Sequence, residues 1–323
     1  MGSPIFRRYL NRHFIRTLKR SYSTAAHPDN IPTPGGLPPL IRGTQDAPSS
    51  GALTNKPSLE DYCFYRDTLP PKPSQLEYAD HFFAASKHSP VYLWGSSLFR
   101  TIPVSSIPEI AFIGRSNVGK SSIINGLVGE DICASSSKPG RTKLMASIGV
   151  GGTKGGGSKI ALVDTPGYGK GSHTEWGQEI QKYLEKRKQL RRIFLLIDAG
   201  VGLKTRDHQV LNFLRRFAIP YQLVLTKLDH ALSFNGHKNK TKPNDSRSDL
   251  IRFSQTVQDI LSSAQPVNPI LDGPGPLNDV IACSVQMQSK KQKKSVAGLR
   301  SLRWAILLAT GFDQIPKGFK FKR

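Results

Sequence analysis

The sequence predicts an α/β protein: a three-layer α/β/α sandwich around a six-stranded, mostly parallel sheet. Three observations carry this reading. Short apolar runs at 109–113, 144–148, 159–163, 192–197, 221–225 and 279–283 have the length of strands. Helical patterns fall between most of them, including the one spaced on Leu250, Phe253, Val257, Ile260 and Leu261, and the run Leu299 to Ala309. The first strand runs straight into a glycine-rich turn and then a helix, the arrangement of a phosphate-binding loop. Five strands are expected to be parallel and one joined as a hairpin, which places a ligand at the carboxyl ends of the strands.

Composition narrows the class. The chain has 323 residues, 37% hydrophobic, enough for a sizeable core and against wholesale disorder. No apolar run approaches the roughly 20 residues of a spanning helix; Ile193 to Ile197, the strongest strand-like one, has five. Cys63, Cys133 and Cys283 are too few and too scattered for a disulfide framework or a thiolate metal site, and they suit a reducing compartment. The formal net charge of +23 points to a polyanionic partner, nucleic acid or an anionic surface, beyond ordinary lysine solvation.

Part of that charge reads as an address. Residues 1–28 carry Arg7, Arg8, Arg12, Arg16, Lys19 and Arg20 with no acid, interleaved with Ile5, Phe6, Leu10, Phe14, Ile15 and Leu18. This is the pattern of a mitochondrial transit peptide, with Arg20-Ser21-Tyr22-Ser23 resembling a processing site, and it implies the matrix. The alternative is a basic RNA-binding tail. Ten prolines lie between Pro28 and Pro73, so 29–107 reads as a Pro-rich linker and N-terminal extension.

The chemistry begins at the end of the first strand. Gly114-Arg115-Ser116-Asn117-Val118-Gly119-Lys120-Ser121 is G-x-x-x-x-G-K-S between a strand and the helical Ser122 to Leu127. The glycines let backbone N–H groups curl around phosphates, and the helix N-terminus adds partial positive charge. Lys120 would reach the β- and γ-phosphates, and the Ser121 hydroxyl would ligate Mg²⁺. After the strand 159–163 comes Asp164-Thr165-Pro166-Gly167. Its carboxylate can hold Mg²⁺ through water, and the Gly167 N–H can sense the γ-phosphate. After the strand 221–225 comes Thr226-Lys227-Leu228-Asp229. The Asp229 carboxylate would accept from guanine N1–H and the N2 amino group, donors that adenine lacks, while Lys227 lays its stem over the base. Between the first two elements Lys138-Pro139-Gly140-Arg141-Thr142-Lys143 offers Thr142 to complete the Mg²⁺ shell. Cys283-Ser284-Val285, after a last strand, would contact guanine O6 through backbone. Each element alone could be a common turn or surface sequence; it is their order, each after a strand, that carries the reading. Lys120, Thr142 and Gly167 are the candidate catalytic residues, with GTP or GDP as the ligand.

These residues together resemble the EngB (YihA) family of translation-factor-related GTPases. The resemblance rests on Gly-Arg-Ser-Asn-Val-Gly-Lys-Ser-Ser, Lys-Pro-Gly-Arg-Thr, Asp-Thr-Pro-Gly-Tyr-Gly at 164–169, Tyr183-Leu184 with Arg187 and Leu190, Leu195-Leu196-Ile197-Asp198, and Thr226-Lys227-Leu228-Asp229. It implies a Ras-like G domain over 108–312, acting in large ribosomal subunit assembly; with the transit peptide, it looks like a mitochondrial member binding the mitochondrial large subunit or its rRNA. Departures from the family pattern are loop insertions at 149–158, 230–248 and 286–295, followed by a basic tail at 313–323. A monomer is expected.

Where a Ras-type enzyme has a water-orienting glutamine, this chain has Tyr168, so intrinsic hydrolysis should be slow. Asn117 stands where cation-dependent relatives coordinate K⁺; it could equally just stabilise the turn. Arg115 and Arg141 could stabilise transition-state charge or contact RNA. The segment Glu175 to Leu190 continues as a helix with Ile180, Tyr183, Leu184 and Arg187 on its packed face, and Trp176 opening it. Three readings follow: a Mg²⁺-dependent GTPase timing large-subunit assembly, a nucleotide-switched regulator of mitochondrial translation whose hydrolysis is incidental, and a membrane-associated GTPase using its basic N-terminus.

Overall fold

The computed structural model describes residues 63–65, 68–133, 144–168, 174–228, 246–285, 296–319 and 321. The chain clusters into two units, 1–54 and 55–323, and all described residues lie in the second. The transit-peptide segment, Gly140, Arg141, Thr142, Asp229 and most of the 230–248 and 286–295 insertions lie outside the described residues.

Among the described residues seven strands form one sheet: β1 (Val91–Ser96), β2 (Glu109–Gly114), β3 (Met145–Val150), β4 (Ile160–Asp164), β5 (Leu190–Asp198), β6 (Tyr221–Thr226) and β7 (Leu277–Ala282), in the order β1-β3-β4-β2-β5-β6-β7. The pairs β2–β4, β2–β5, β5–β6 and β6–β7 are parallel. β3 runs antiparallel to β4 as the expected hairpin, with the glycine-rich 151–158 as its tip. All six expected strands are present, and the seventh, β1, is an addition: it pairs antiparallel with β3 at the sheet edge. Its register slips between Tyr92 and Trp94, and its apolar start, Val91-Tyr92-Leu93-Trp94, lies within the stretch read from sequence as a linker.

The central strands are mostly apolar because both faces are covered. Ala111 and Ile113 face one way, into a cluster with Tyr183, Leu184, Leu211, Leu214, Val257 and Ile260. Ile110 and Phe112 face the other, into Ile123, Leu127, Leu302 and Ile306. The first layer is α3 (Thr174–Lys186), α4 (Thr205–Arg216) and α5 (Ser246–Ala264). The second is α1 (Pro73–Phe82), α2 (Lys120–Val128) and α7 (Leu299–Thr310); α6 is a single turn at Pro269–Asp272. Helix α3 ends at Lys186 and Leu190 already opens β5, so the helix expected to reach Leu190 is one turn shorter.

The folded unit also begins earlier than residue 108. Helix α1 packs on α7, where Asp80 pairs with Arg300 at 2.7 Å and Arg303 at 2.8 Å. Phe64 pairs antiparallel with Val280 on β7, at the edge of the sheet opposite β1. The stretch 68–107 therefore supplies a helix and a strand to the same core rather than a linker to it.

One feature of the topology positions the site. From β2 the chain first builds β3 and β4 on one side, then crosses to β5 on the other. The crevice at the carboxyl end of β2 is thus the switch point where open α/β sheets bind ligands.

Candidate functional site

The glycine-rich loop fills that crevice. β2 is buried along its whole length and ends at Gly114; α2 starts at Lys120. The turn between them needs two left-handed residues, Asn117 at φ +63° and Gly119 at φ +105°. Asparagine and glycine tolerate that region best, so Asn117 has a conformational reason to be where it is. Val118 is buried beneath the loop, and its carbonyl accepts the Thr226 hydroxyl at 2.7 Å. That bond ties the phosphate loop to the end of β6. Ser116 and Ser122 are half-buried on either side of the turn.

Lys120 folds back over the loop, donating to the carbonyls of Gly114 at 3.0 Å and Arg115 at 3.1 Å. Burial pulls its ammonium down to about 8, with the neighbouring Asp164 carboxylate acting in the opposite direction. Asp164 ends β4 and is buried; burial raises its pKa, against a Ser121 hydrogen bond and the Lys120 charge that lower it. The Ser121 hydroxyl donates to Asp164 Oδ2 at 2.6 Å, while Asp164 Oδ1 is buried with no hydrogen-bond partner. A buried carboxylate oxygen without a donor costs on the order of 1–3 kcal/mol or more. A hard cation with its waters would satisfy it, so this hydroxyl–carboxylate pair fits Mg²⁺.

The segment after Asp164 lies along the phosphate loop. Thr165 Oγ1 donates to Phe112 O at 2.8 Å, and Ser116 N donates to Tyr168 O at 2.9 Å. Gly167 carries no side chain because none fits: a Cβ there would stand 2.6 Å from the Ser116 backbone and 2.9 Å from Lys120 Nζ. Pro166 is buried in the same run. Tyr168 does not face the loop's anion-binding side. Its hydroxyl donates to Asp207 Oδ1 at 2.6 Å, in the first turn of α4. Burial, reinforced by the Asp207 charge and hydrogen bond, pushes the phenol well up, so it stays a donor. Asp207 Oδ2 accepts the Lys204 N–H at 2.7 Å and faces Arg115 Nε at 3.4 Å. Arg115 also donates to Gly202 O at 2.9 Å. Its guanidinium is therefore turned toward the start of α4. Asp207 was not singled out in the sequence, and its only local signal is an acid in the first turn of a helix.

The base end is built mostly from backbone. Leu228, buried, donates its N–H toward Cys283 O at 3.4 Å, and Cys283 N donates to Leu225 O at 2.7 Å. Thr226-Lys227-Leu228 and Cys283-Ser284 thus lie side by side, with Ser284–Val285 continuing into a short antiparallel pair with Val296–Ala297. Lys227 sits at φ +56° and its ammonium meets Asp198 Oδ2 at 2.9 Å, at the end of β5. The side chain of Trp176 and that of Val285 lie outside the described residues. Among the described residues no helix is long and apolar enough to cross a membrane, and no cluster of three or more His, Cys, Asp or Glu residues could hold a metal.

The chain is similar in sequence to several known proteins. The family model described as 50S ribosome-binding GTPase matches residues 109–227, from the start of β2 to the residue after β6. The "Probable GTP-binding protein EngB" of Mesorhizobium japonicum is 42% identical over 148 residues, covering 43% of this chain and 70% of the relative. The protein of the same name from Gluconobacter oxydans is 40% identical over 166 residues, covering 50% of this chain and 69% of the relative. Among solved structures, Toc33 from Arabidopsis thaliana in complex with GDP and Mg²⁺ is 20% identical with a TM-score of 0.42, covering 64% of this chain and 85% of that one. The phosphate loop, the buried Ser121–Asp164 pair and the level of identity over two thirds of the bacterial relatives converge: the chain belongs to the EngB family of GTP-binding GTPases.

Proposed function

We propose that this protein is a Mg²⁺-dependent GTPase that works in assembly of the mitochondrial large ribosomal subunit, with residues 1–28 directing it to the matrix. The observation that carries the nucleotide part is the meeting, at one end of the sheet, of Lys120, the Ser121–Asp164 pair and the Thr226-Lys227-Leu228 turn. Mg²⁺, when bound, would neutralise charge between the β- and γ-phosphates. Ser121 and Asp164 would hold it, with Thr142 as the third candidate. Lys120 would bind the phosphates, and the Gly167 N–H would meet the γ-phosphate. Asp229 would select guanine. The ribosomal part is supported by the 50S ribosome-binding description of the matching family and by the strongly basic composition, including Lys290 to Lys294 and Lys317, Lys320, Lys322 and Arg323.

Hydrolysis is expected to be slow, because the residue after Gly167 is a tyrosine whose hydroxyl is engaged by Asp207. A bound K⁺ at Asn117 would supply charge there, and faster single-turnover hydrolysis in K⁺ than in Na⁺ is the expected result. Equal rates would leave Asn117 as a turn residue only. The ribosomal assignment is tested by sedimenting a mitochondrial lysate with GTP, GDP or a non-hydrolysable GTP analogue. Co-migration with large-subunit particles that depends on the analogue is expected; residence at the top of the gradient in every nucleotide would overturn it.

A further inference from the structure

We infer that Asp198 is a positioning residue for the nucleotide base: it holds the Lys227 ammonium so that the lysine stem is already in place when the base arrives. The inference rests on the nucleotide reading above, in which Lys227 lays its stem over the base, and it names what keeps the stem there. A lysine side chain alone is a poor platform. Its four-carbon stem is flexible, and its strongly hydrated ammonium draws it out into water. Ordering such a side chain only when the ligand lands would subtract from affinity.

The geometry points to Asp198 as the group that orders it beforehand. Asp198 ends β5 and stands opposite Thr226, the last residue of β6 and the one before Lys227. Ala199 N donates to Thr226 O at 3.0 Å, which holds the two strand ends together. The carboxylate is therefore carried by the sheet, and it is also fixed in direction. Its Oδ1 accepts the Gly200 N–H at 3.1 Å, and its Oδ2 meets Lys227 Nζ at 2.9 Å. The Asp198 side chain is 16% exposed and that of Lys227 38%, so the pair is less open to screening than one standing free in water. The Lys227 backbone, at φ +56°, leaves the strand in a conformation that lysine rarely adopts. The stem is thus held at both ends, at its Cα by that turn and at its ammonium by Asp198. An aliphatic stem packs alike on any purine face, so Asp198 acts on how tightly the base is held, and the choice of guanine stays with Asp229.

Asp198 also shapes the turn to Gly202, whose carbonyl accepts Arg115 of the phosphate loop at 2.9 Å, so the test has to separate the two roles. Asp198→Asn keeps an oxygen for the Gly200 N–H and removes the charge that Lys227 meets. Lys227→Met keeps a stem and removes the ammonium. Affinities for GDP and for pyrophosphate, which has no base, are measured in Mg²⁺ for the full chain as parent, Asp198→Asn, Lys227→Met and the double variant. The expected result is GDP binding about fivefold weaker in Asp198→Asn, with pyrophosphate binding within twofold of the parent. Adding Asp198→Asn to Lys227→Met should cost GDP nothing further, because the two changes remove the same contact. Equal losses for GDP and pyrophosphate would reduce Asp198 to a residue of the turn and overturn the inference. GDP binding within twofold of the parent in Asp198→Asn, or a full fivefold loss on top of Lys227→Met, would overturn it too. All three outcomes leave the nucleotide reading standing; a parent chain that binds no GDP overturns both.

Discussion

The two ends of the site are built by different means. At the phosphate end, side chains make the bonds: Lys120 to two carbonyls, Thr165 to the Phe112 carbonyl, Ser121 to Asp164, and Tyr168 and Arg115 to Asp207. At the base end the described contacts are largely main-chain, Leu228 to Cys283 and Cys283 to Leu225, with the Thr226 hydroxyl reaching Val118 and Lys227 reaching Asp198. The difference follows from what each end must do. Phosphates carry charge that has to be met by buried, pre-placed groups at a fixed geometry. A purine ring needs a slot and one specific acceptor, and backbone from two adjacent strand ends makes the slot. So the phosphate end should dominate affinity, and the base end should dominate choice between nucleotides.

The largest effect expected from this contrast is at Lys120. Lys120→Ala should weaken GDP and GTP binding by about 100-fold or more, since truncating a buried charged partner costs on the order of 2–5 kcal/mol, and it should do so for any purine nucleotide that still binds. Fluorescence titration of the variant checks it; near-normal binding would mean the phosphate end is misassigned. Next comes Asp229→Asn, which should cost guanine nucleotides about 100-fold while leaving the already weak ATP binding nearly unchanged, because a site built for specific donors rejects ligands it leaves unpaired. If GDP and ATP weaken together, the two ends are not separable as described.

A smaller effect concerns pH. Burial brings Lys120 down to about 8 in the unliganded protein, and phosphates would raise it, so binding takes up a proton at alkaline pH. The sign follows: affinity is flat below pH 8 and weakens above it, by up to about tenfold per pH unit until the liganded pKa is passed. Proton uptake measured by calorimetry in two buffers of different ionisation enthalpy checks it. The same linkage acts on the fold. The unfolded chain holds this proton more tightly, so the cost of charging Lys120 in the unliganded protein is present below pH 8 and fades as pH rises toward its ordinary value.

Legibility in the sequence divides along the same line. The phosphate loop, Asp164 to Gly167 and Thr226 to Leu228 are local strings at strand ends, so their chemistry could be read from neighbours in the chain, and the six apolar runs gave the sheet. Asp207 could not be read that way. It lies 39 residues from the tyrosine it holds, on a helix whose polar pattern, Thr205–Arg216, stood out neither as a strand nor as a strongly apolar helix. Strand β1 was hidden differently: its apolar run, Val91 to Trp94, is short, irregular in register and embedded in a Pro-rich stretch that reads as a linker. The outward turn of Arg115 was likewise invisible, because its partners, Asp207 and Gly202, come from the loop and helix after β5. Contacts made by tertiary placement, rather than by strand-end strings, were the ones the sequence withheld.

The most direct test of the account is a competition titration of the full chain in Mg²⁺, with a fluorescent GDP displaced by GDP, GTP or ATP. A site with a charged phosphate end and a guanine-selecting base end predicts displacement by GDP and GTP, with ATP about 100-fold weaker or worse. Displacement by ATP at the same concentrations as GDP would contradict it.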